Sequence, residues 1–440
     1  MRPPVRVIIG LSVALFFVFA ITAAIFVGHY WFQVFARQKA ESLYVLSITK
    51  ARTLDPKTKT YDATGAIECL NQALIWHPQF YMAANYRGQL KEFNGDLKGA
   101  IADFDLAIRI NPRATPAYIN RADCEKRQGH IDLAIADLTK ALEVDPGNDQ
   151  ALAQRAELKK AKGDLTGALG DLDDSLANNA GNPTFFNNRG LARLDTGDIE
   201  GAIRDFDQAI NLDPKHAVSF NNRGLAKMHK GQSVEAILDL EKAVQLKPEY
   251  ADAWYNLGNA RANVGDRDTA IAAFTKTLEI NPRYSKALND RGVAKRAKGD
   301  LAGAIDDFNE FIKDFPPDAN TYNNRGLALR AKGDLDGALS DLNEAIKLDP
   351  HKPLYFTSRG FIEHSRKDLN AALADYAQAL ALNPNWATGY LYRARIRIEQ
   401  NELEKAKADL RKAHELDPKN KEARDSLAAL ESGTLPPPSP

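Results

Sequence analysis

Cysteine is almost missing from this chain. Cys69 and Cys124 are the whole complement, and they stand too far apart for a C-x-x-C redox or metal motif. Both read as small buried apolar residues. Net charge is missing as well: 58 Lys plus Arg balance 58 Asp plus Glu, so no global field draws nucleic acid or an anionic surface. Any partner must be recognised locally. The 440 residues contain no G-x-x-x-x-G-K-S/T, no H-E-x-x-H and no G-x-S-x-G, and the eight His never fall at metal-ligand spacing with Cys. These absences leave no catalytic residue, no metal ligand set and no cofactor to expect, and the chain does not read as an enzyme.

Long hydrophobic runs are also scarce, with one exception. Val7 to Gly28 is 22 residues without a charge, enough as a helix to cover a hydrocarbon core of about 30 Å. Arg2 and Arg6 precede it and His29, Tyr30, Trp31 and Phe32 follow, in the manner of an interfacial belt. The expectation is a flank over 1–6, a transmembrane helix over 7–28 and a juxtamembrane linker helix over 29–46. The lipid bilayer is then one partner of this single-pass chain. A cleaved secretory signal, with Val18-Phe19-Ala20 as a weak processing site, is the competing reading, although such apolar cores are shorter. The slight excess of positive charge before the run places the repeats outside the cytoplasm, in the periplasm if the source is bacterial.

What the chain has in abundance is periodicity. Prolines recur at 78, 112, 146, 214, 248, 282, 316, 350, 384 and 418, with Ala180 in the one doubled gap, which gives a period of 34 without slippage. Ten units begin at 81, 115, 149, 183, 217, 251, 285, 319, 353 and 387. Residues 47–80 read as a degenerate first unit, 421–432 as a capping helix and 433–440 as a Pro-rich tail. Within each unit the eighth residue is Gly or Ala, the twentieth is Ala, and the twenty-fourth is large and apolar, such as Phe104, Leu138, Phe206, Phe274 and Tyr376. Small residues let two helices approach, and the large one fills the space beside them. In eight units a Gly stands mid-unit, often followed by Asp as in Gly299-Asp300 and Gly333-Asp334. Such a pair ends one helix in the left-handed region and caps the next.

This pattern over 81–420 resembles the tetratricopeptide repeat, a 34-residue helix-turn-helix unit. The resemblance implies an all-α, right-handed superhelix (α-solenoid), preceded here by the transmembrane helix. One hairpin cannot bury its apolar side alone, so stacked neighbours must share a core.

Nine of the ten units carry Arg at the seventh place, and the same nine carry Asp at the twenty-third; in the tenth, Leu257 and Ala273 replace both together. In a hairpin turning near residue 15 these places lie opposite each other. Structural ion pairs are expected, among them Arg189 with Asp205, Arg223 with Asp239 and Arg325 with Asp341.

The family resemblance also implies a concave face lined by the second, fifth, sixth, ninth and thirteenth places of each first helix. At the sixth place stand Asn120, Asn188, Asn222, Asn256 and Asn324, interrupted by Asp290. Amides both donate and accept, so a row of them suits an extended peptide backbone. The row is similar to the asparagine ladder in the repeat domain of O-linked N-acetylglucosamine transferases, but only about 20 residues follow the last unit, so that family's catalytic domain is not expected. Leu191, Leu225, Val293, Leu327 and Phe361 at the ninth place supply apolar contact. The competing reading of the Asn row is tolerance of an exposed helix position, or support for the neighbouring Arg. No unit has Lys at its fifth place, which argues against the chaperone-tail clamp of related domains. The reading is a membrane-anchored scaffold or adaptor for protein or peptide partners. A self-associating structural element is the alternative, and an enzyme of unrecognised chemistry a remote one.

Overall fold

The structure, a computed structural model, describes residues 5–52 and 62–434, with side chains for 22, 25–52 and 62–434. Every regular element among them is a helix. The chain forms two compact units, Met1–Asp213 and Pro214–Pro440. The first holds α1 (Val5–Arg52), α2 (Ala63–Trp76), α3 (Tyr81–Phe93), α4 (Leu97–Ile110), α5 (Thr115–Arg127), α6 (Ile131–Val144), α7 (Asp149–Ala161), α8 (Leu165–Asn178), α9 (Pro183–Asp195) and α10 (Ile199–Leu212). The second holds α11 (Ala217–His229), α12 (Ser233–Leu246), α13 (Ala251–Asn263), α14 (Arg267–Ile280), α15 (Ser285–Lys298), α16 (Leu301–Asp314), α17 (Ala319–Lys332), α18 (Leu335–Leu348), α19 (Pro353–Ser365), α20 (Leu369–Leu382), α21 (Ala387–Glu399), α22 (Leu403–Leu416) and α23 (Lys421–Glu431).

The turns follow from local chemistry. Gly299 and Gly333 sit at φ 94° and 95°, and the next residue, Asp300 or Asp334, accepts a hydrogen bond from a backbone N–H of the following helix at 3.0 and 2.9 Å. Lys367 and Asn401 occupy the equivalent places with φ 65° and 61°, so two side-chain-bearing residues adopt a conformation that Gly tolerates more easily.

Packing inside each hairpin depends on matched volumes. A Cβ built on Gly190 would lie 2.6 Å from the Phe206 ring, and one on Gly292 would lie 2.7 Å from the Phe308 ring. Every aromatic residue at the twenty-fourth place faces such a Gly, whereas Ala122, Ala156 and Ala394 face Leu138, Leu172 and Leu410. Neighbouring hairpins then share their interiors. Leu138 and Leu142 of α6 join Ala151 and Leu152 of α7 in one core, and Leu240 and Val244 of α12 join Ala253 and Leu257 of α13. At the end of the second unit, Ala423 and Leu430 of α23 close the core of α21 and α22.

The amino-terminal expectation requires correction. Among the described residues no helix is long and apolar enough to cross a membrane, so the transmembrane helix, the bilayer partner and the single-pass placement with exocytoplasmic repeats lose their basis. The side chains of 7–21, 23 and 24 lie outside the described residues, as do 1–4 of the flank and 435–440 of the tail. The physical reason lies in what α1 does after Gly28. Its backbone continues unbroken through Arg37, Lys39, Glu41 and Lys50, and Ala40 enters one core with Ala66, Leu70 and Ala73 of α2. The carboxyl-terminal half of α1 is thus a packing partner of the first repeat helices. Cys69 and Cys124 are free and buried.

Candidate functional site

The first helices of most hairpins carry two kinds of polar residue, one turned to the partner helix of the same hairpin and one along a strip shared with the neighbouring hairpin. The Arg at the seventh place belongs to the first kind. Arg189 donates from Nε and Nη2 to both carboxylate oxygens of Asp205 at 3.0 and 2.7 Å, and Arg325 does the same to Asp341 at 2.8 and 2.6 Å. Arg223 and Asp239 are joined at 2.9 and 2.5 Å. The Asp side chains are nearly sealed, that of Asp341 being 6% exposed and that of Arg325 20%. The Asp341 contact is the largest influence holding the Arg325 guanidinium above its ordinary range, with burial opposing it.

Two features of this network escaped the sequence reading. First, the remaining Nη1 reaches back to the preceding hairpin, from Arg189 to Asp173 at 2.7 Å and from Arg325 to Asn309 at 2.7 Å. The same Arg therefore ties two consecutive repeats. Second, a cation at the eleventh place adds a grip on the Asp in several units, as Arg193 does on Asp205 at 2.7 Å and Lys227 on Asp239 at 2.6 Å. Both signals were present as a 34-residue recurrence, but neither place holds one residue type throughout.

The asparagines form the second kind. Asn120 Nδ2 donates to Asn85 Oδ1 at 3.0 Å, Asn256 Nδ2 to Asn221 Oδ1 at 2.9 Å, and Asn324 Nδ2 to Asn289 Oδ1 at 3.2 Å. Each bond joins the sixth place of one hairpin to the fifth place of the one before. Within a hairpin, Asn221 Nδ2 donates to Asn222 Oδ1 at 3.0 Å and Asn187 Nδ2 lies 3.4 Å from Asn188 Oδ1. Asp290, the interruption, accepts from Asn289 at 3.0 Å and from the Tyr255 hydroxyl at 2.8 Å. The amides thus stitch neighbouring helices together. A carboxamide has two N–H groups and two acceptor lone pairs, so Asn256 and Asn324 keep hydrogen-bonding capacity beyond these bonds.

At the ninth place Leu191, Leu225, Leu327 and Phe361 are all half-buried. In the first unit Leu191 and Asn188 line a recess of ≈ 160 Å³ with Ala153, Ala156, Glu157 and Lys160. In the second unit the Phe361 ring lies 4.0 Å beneath the Arg330 guanidinium and 5.5 Å from Tyr392. No group of His, Cys, Asp and Glu suited to a metal occurs among the described residues.

Comparison with known proteins bears on the repeats. The tetratricopeptide repeat family profiles match residues 115–148, 183–216, 251–284, 319–352 and 387–420, and a further TPR repeat profile matches 227–265. No curated protein matches the chain. Among solved structures it is similar to the APC/C hetero-tetramer Cut9–Hcn1, at 14% identity over 90% of this chain and 96% of that one with a TM-score of 0.48. It is also similar to yeast Tom70, at 16% identity over 90% and 95% with a TM-score of 0.45. A third is YrrB, described as a TPR protein with an unusual peptide-binding site, at 23% identity over 43% and 97% with a TM-score of 0.35. The matched stretches of this chain are tetratricopeptide repeats.

Proposed function

We propose that the protein is a scaffold or adaptor that holds protein or extended-peptide partners against the first helices of its hairpins, without catalysing a reaction on them. Each compact unit offers its own set of such helices, those of 81–212 in the first and those of 217–416 in the second, with α23 covering the last hairpin. The observation that carries this reading is the pairing of half-buried apolar residues at the ninth place with half-buried amides at the sixth, of which Asn256 and Asn324 keep hydrogen-bonding capacity beyond their bonds to Asn221 and Asn289. An extended peptide has one N–H and one C=O per residue to satisfy and alternate side chains to bury. A strip of amides beside a strip of Leu and Phe meets both needs without demanding one sequence. The Arg and Asp pairs stand outside this surface as structural elements, because their charges are spent on each other.

The test uses full-length protein and peptides selected on it from a random seven-residue library. Replacing Leu191, Leu225 and Leu327 together by Gln removes apolar contact but no hydrogen bond, and is expected to weaken the selected peptides at least about tenfold while leaving helicity intact. Undiminished binding overturns the proposal. Self-association in light scattering, with no peptide retained, favours the structural alternative.

A further inference from the structure

One stripe in the second unit departs from the rest of the repeats. The fifth, ninth and twelfth places of a helix lie on one side of it, one and two turns apart. On α15, α17 and α19 those places read Asn289, Val293, Arg296, then Asn323, Leu327, Arg330, then Thr357, Phe361, His364. Arg296 and Arg330 are half-buried, and neither forms an ion pair among the described residues. The Arg at the seventh place of these same helices, Arg291 and Arg325, are each fully engaged with Asp307 and Asp341. The carboxylates nearby are taken: Asp290 by Tyr255 and Asn289, and Glu399 by His364 at 2.7 Å.

The cost of this arrangement is visible. Burial pulls the Arg296 guanidinium below the ordinary arginine range with nothing to offset it. Burial does the same at Arg330, where the neighbouring Arg296 charge adds to it and Tyr392 and Tyr376 oppose it. Partly desolvated cations are normally matched by an anion. Here the ε nitrogens of both Arg are buried without an acceptor, the Oδ1 of Asn323, itself 4% exposed, is buried without a donor, and the Tyr376 hydroxyl is buried without a partner of either kind. These are four of the seven such side-chain atoms among the described residues, gathered on one stretch of three hairpins. The Phe361 ring packs beneath the Arg330 guanidinium at 4.0 Å, a cation–π contact that restrains the end of the side chain.

We propose that Arg296 and Arg330 form a carboxylate-binding subsite for an acidic side chain of an extended peptide lying along the second unit. The proposal rests on the peptide-binding reading and adds its specificity. Two guanidinium groups offer planar N–H donors suited to a carboxylate, and Arg330 is restrained by its contact with the Phe361 ring.

The experiment selects peptides from a random seven-residue phage-displayed library on the full-length chain and on the R296Q/R330Q variant. The wild type should enrich Asp or Glu. A selected peptide resynthesised with Gln in place of its Glu should bind about tenfold more weakly, and R296Q/R330Q should bind the two forms equally. The variant should melt no lower than wild type, because it loses two unpaired cations. Peptides recovered without an acidic preference, or a preference that survives in R296Q/R330Q, overturn the subsite while leaving the adaptor reading in place. Recovery of no peptide at all overturns both.

Discussion

Replacing Arg325 by Leu tests what holds a hairpin together, because the repeats differ in how many cations grip the buried Asp. Asp341 is bound by Arg325 alone among the described residues, since Leu329 occupies the place where other units carry Lys or Arg. Asp205 has two partners, Arg189 and Arg193. In R325L the Leu side chain keeps much of the apolar stem contact, but the Asp341 carboxylate, 6% exposed, is left without a counter-charge. Breaking such a pair from one side costs ~3–5 kcal/mol. In R189L the Arg193 guanidinium remains 2.7 Å from Asp205, and the loss is confined to charge-assisted hydrogen bonds, ~1.5–3 kcal/mol. The double variant R325L/D341A no longer buries a charge and should regain ~2 kcal/mol of the single variant's loss. A long array does not unfold as one cooperative whole. The suitable assay is therefore native-state hydrogen exchange in α17 and α18 against α9 and α10, which reads local opening free energies. Equal opening of R325L and R325L/D341A, or equal losses in R325L and R189L, refutes the reasoning.

Other outcomes follow from the same geometry. Gly190→Ala forces a Cβ to within 2.6 Å of the Phe206 ring; it should destabilise α9 and α10 by ~1–3 kcal/mol, and G190A/F206L should recover most of this in denaturant unfolding. Lys367→Gly relieves a left-handed residue at φ 65° and should stabilise its hairpin by ~1 kcal/mol, read as slower exchange at the α19–α20 turn. Burial pushes the Cys124 thiol up from 9.0 to about 12. A raised value favours the protonated form, so the thiolate fraction at pH 8 falls roughly a thousandfold. Alkylation of Cys124 should accordingly be slow in native protein and fast in denaturant.

The helical repeat was legible because its determinants are local. The mid-unit Gly, the Asp that follows it and the proline near the end of the second helix act through the backbone of a few residues, so a spacing of 34 translates directly into helix bounds. The facing of the seventh and twenty-third places was also readable, since hairpin geometry relates them by a simple sum. The same logic did not reach the places where one hairpin meets the next. The bond from Asn256 to Asn221 and the reach of Arg189 to Asp173 join residues 35 and 16 apart on different hairpins, and their directions depend on how the hairpins are stacked. At the amino terminus, the charge-free run suggested a helix bounded by a membrane. α1 instead runs on to Arg52 and packs Ala40 against α2, a tertiary contact that hydropathy does not encode.

The sequence alone determined the repeated hairpin, because capping, left-handed Gly and matched small and large residues are properties of each unit's own chain. Tertiary structure decided which polar groups are consumed by packing and which are left over. Asn222 accepts a bond from Asn221, and Arg325 is spent on Asp341, whereas Arg296 and Arg330 are desolvated without a counter-charge. The reason is physical: burial and partnership depend on distances between neighbouring hairpins, and a charge acquires its binding potential only once the fold has fixed what stands within its reach.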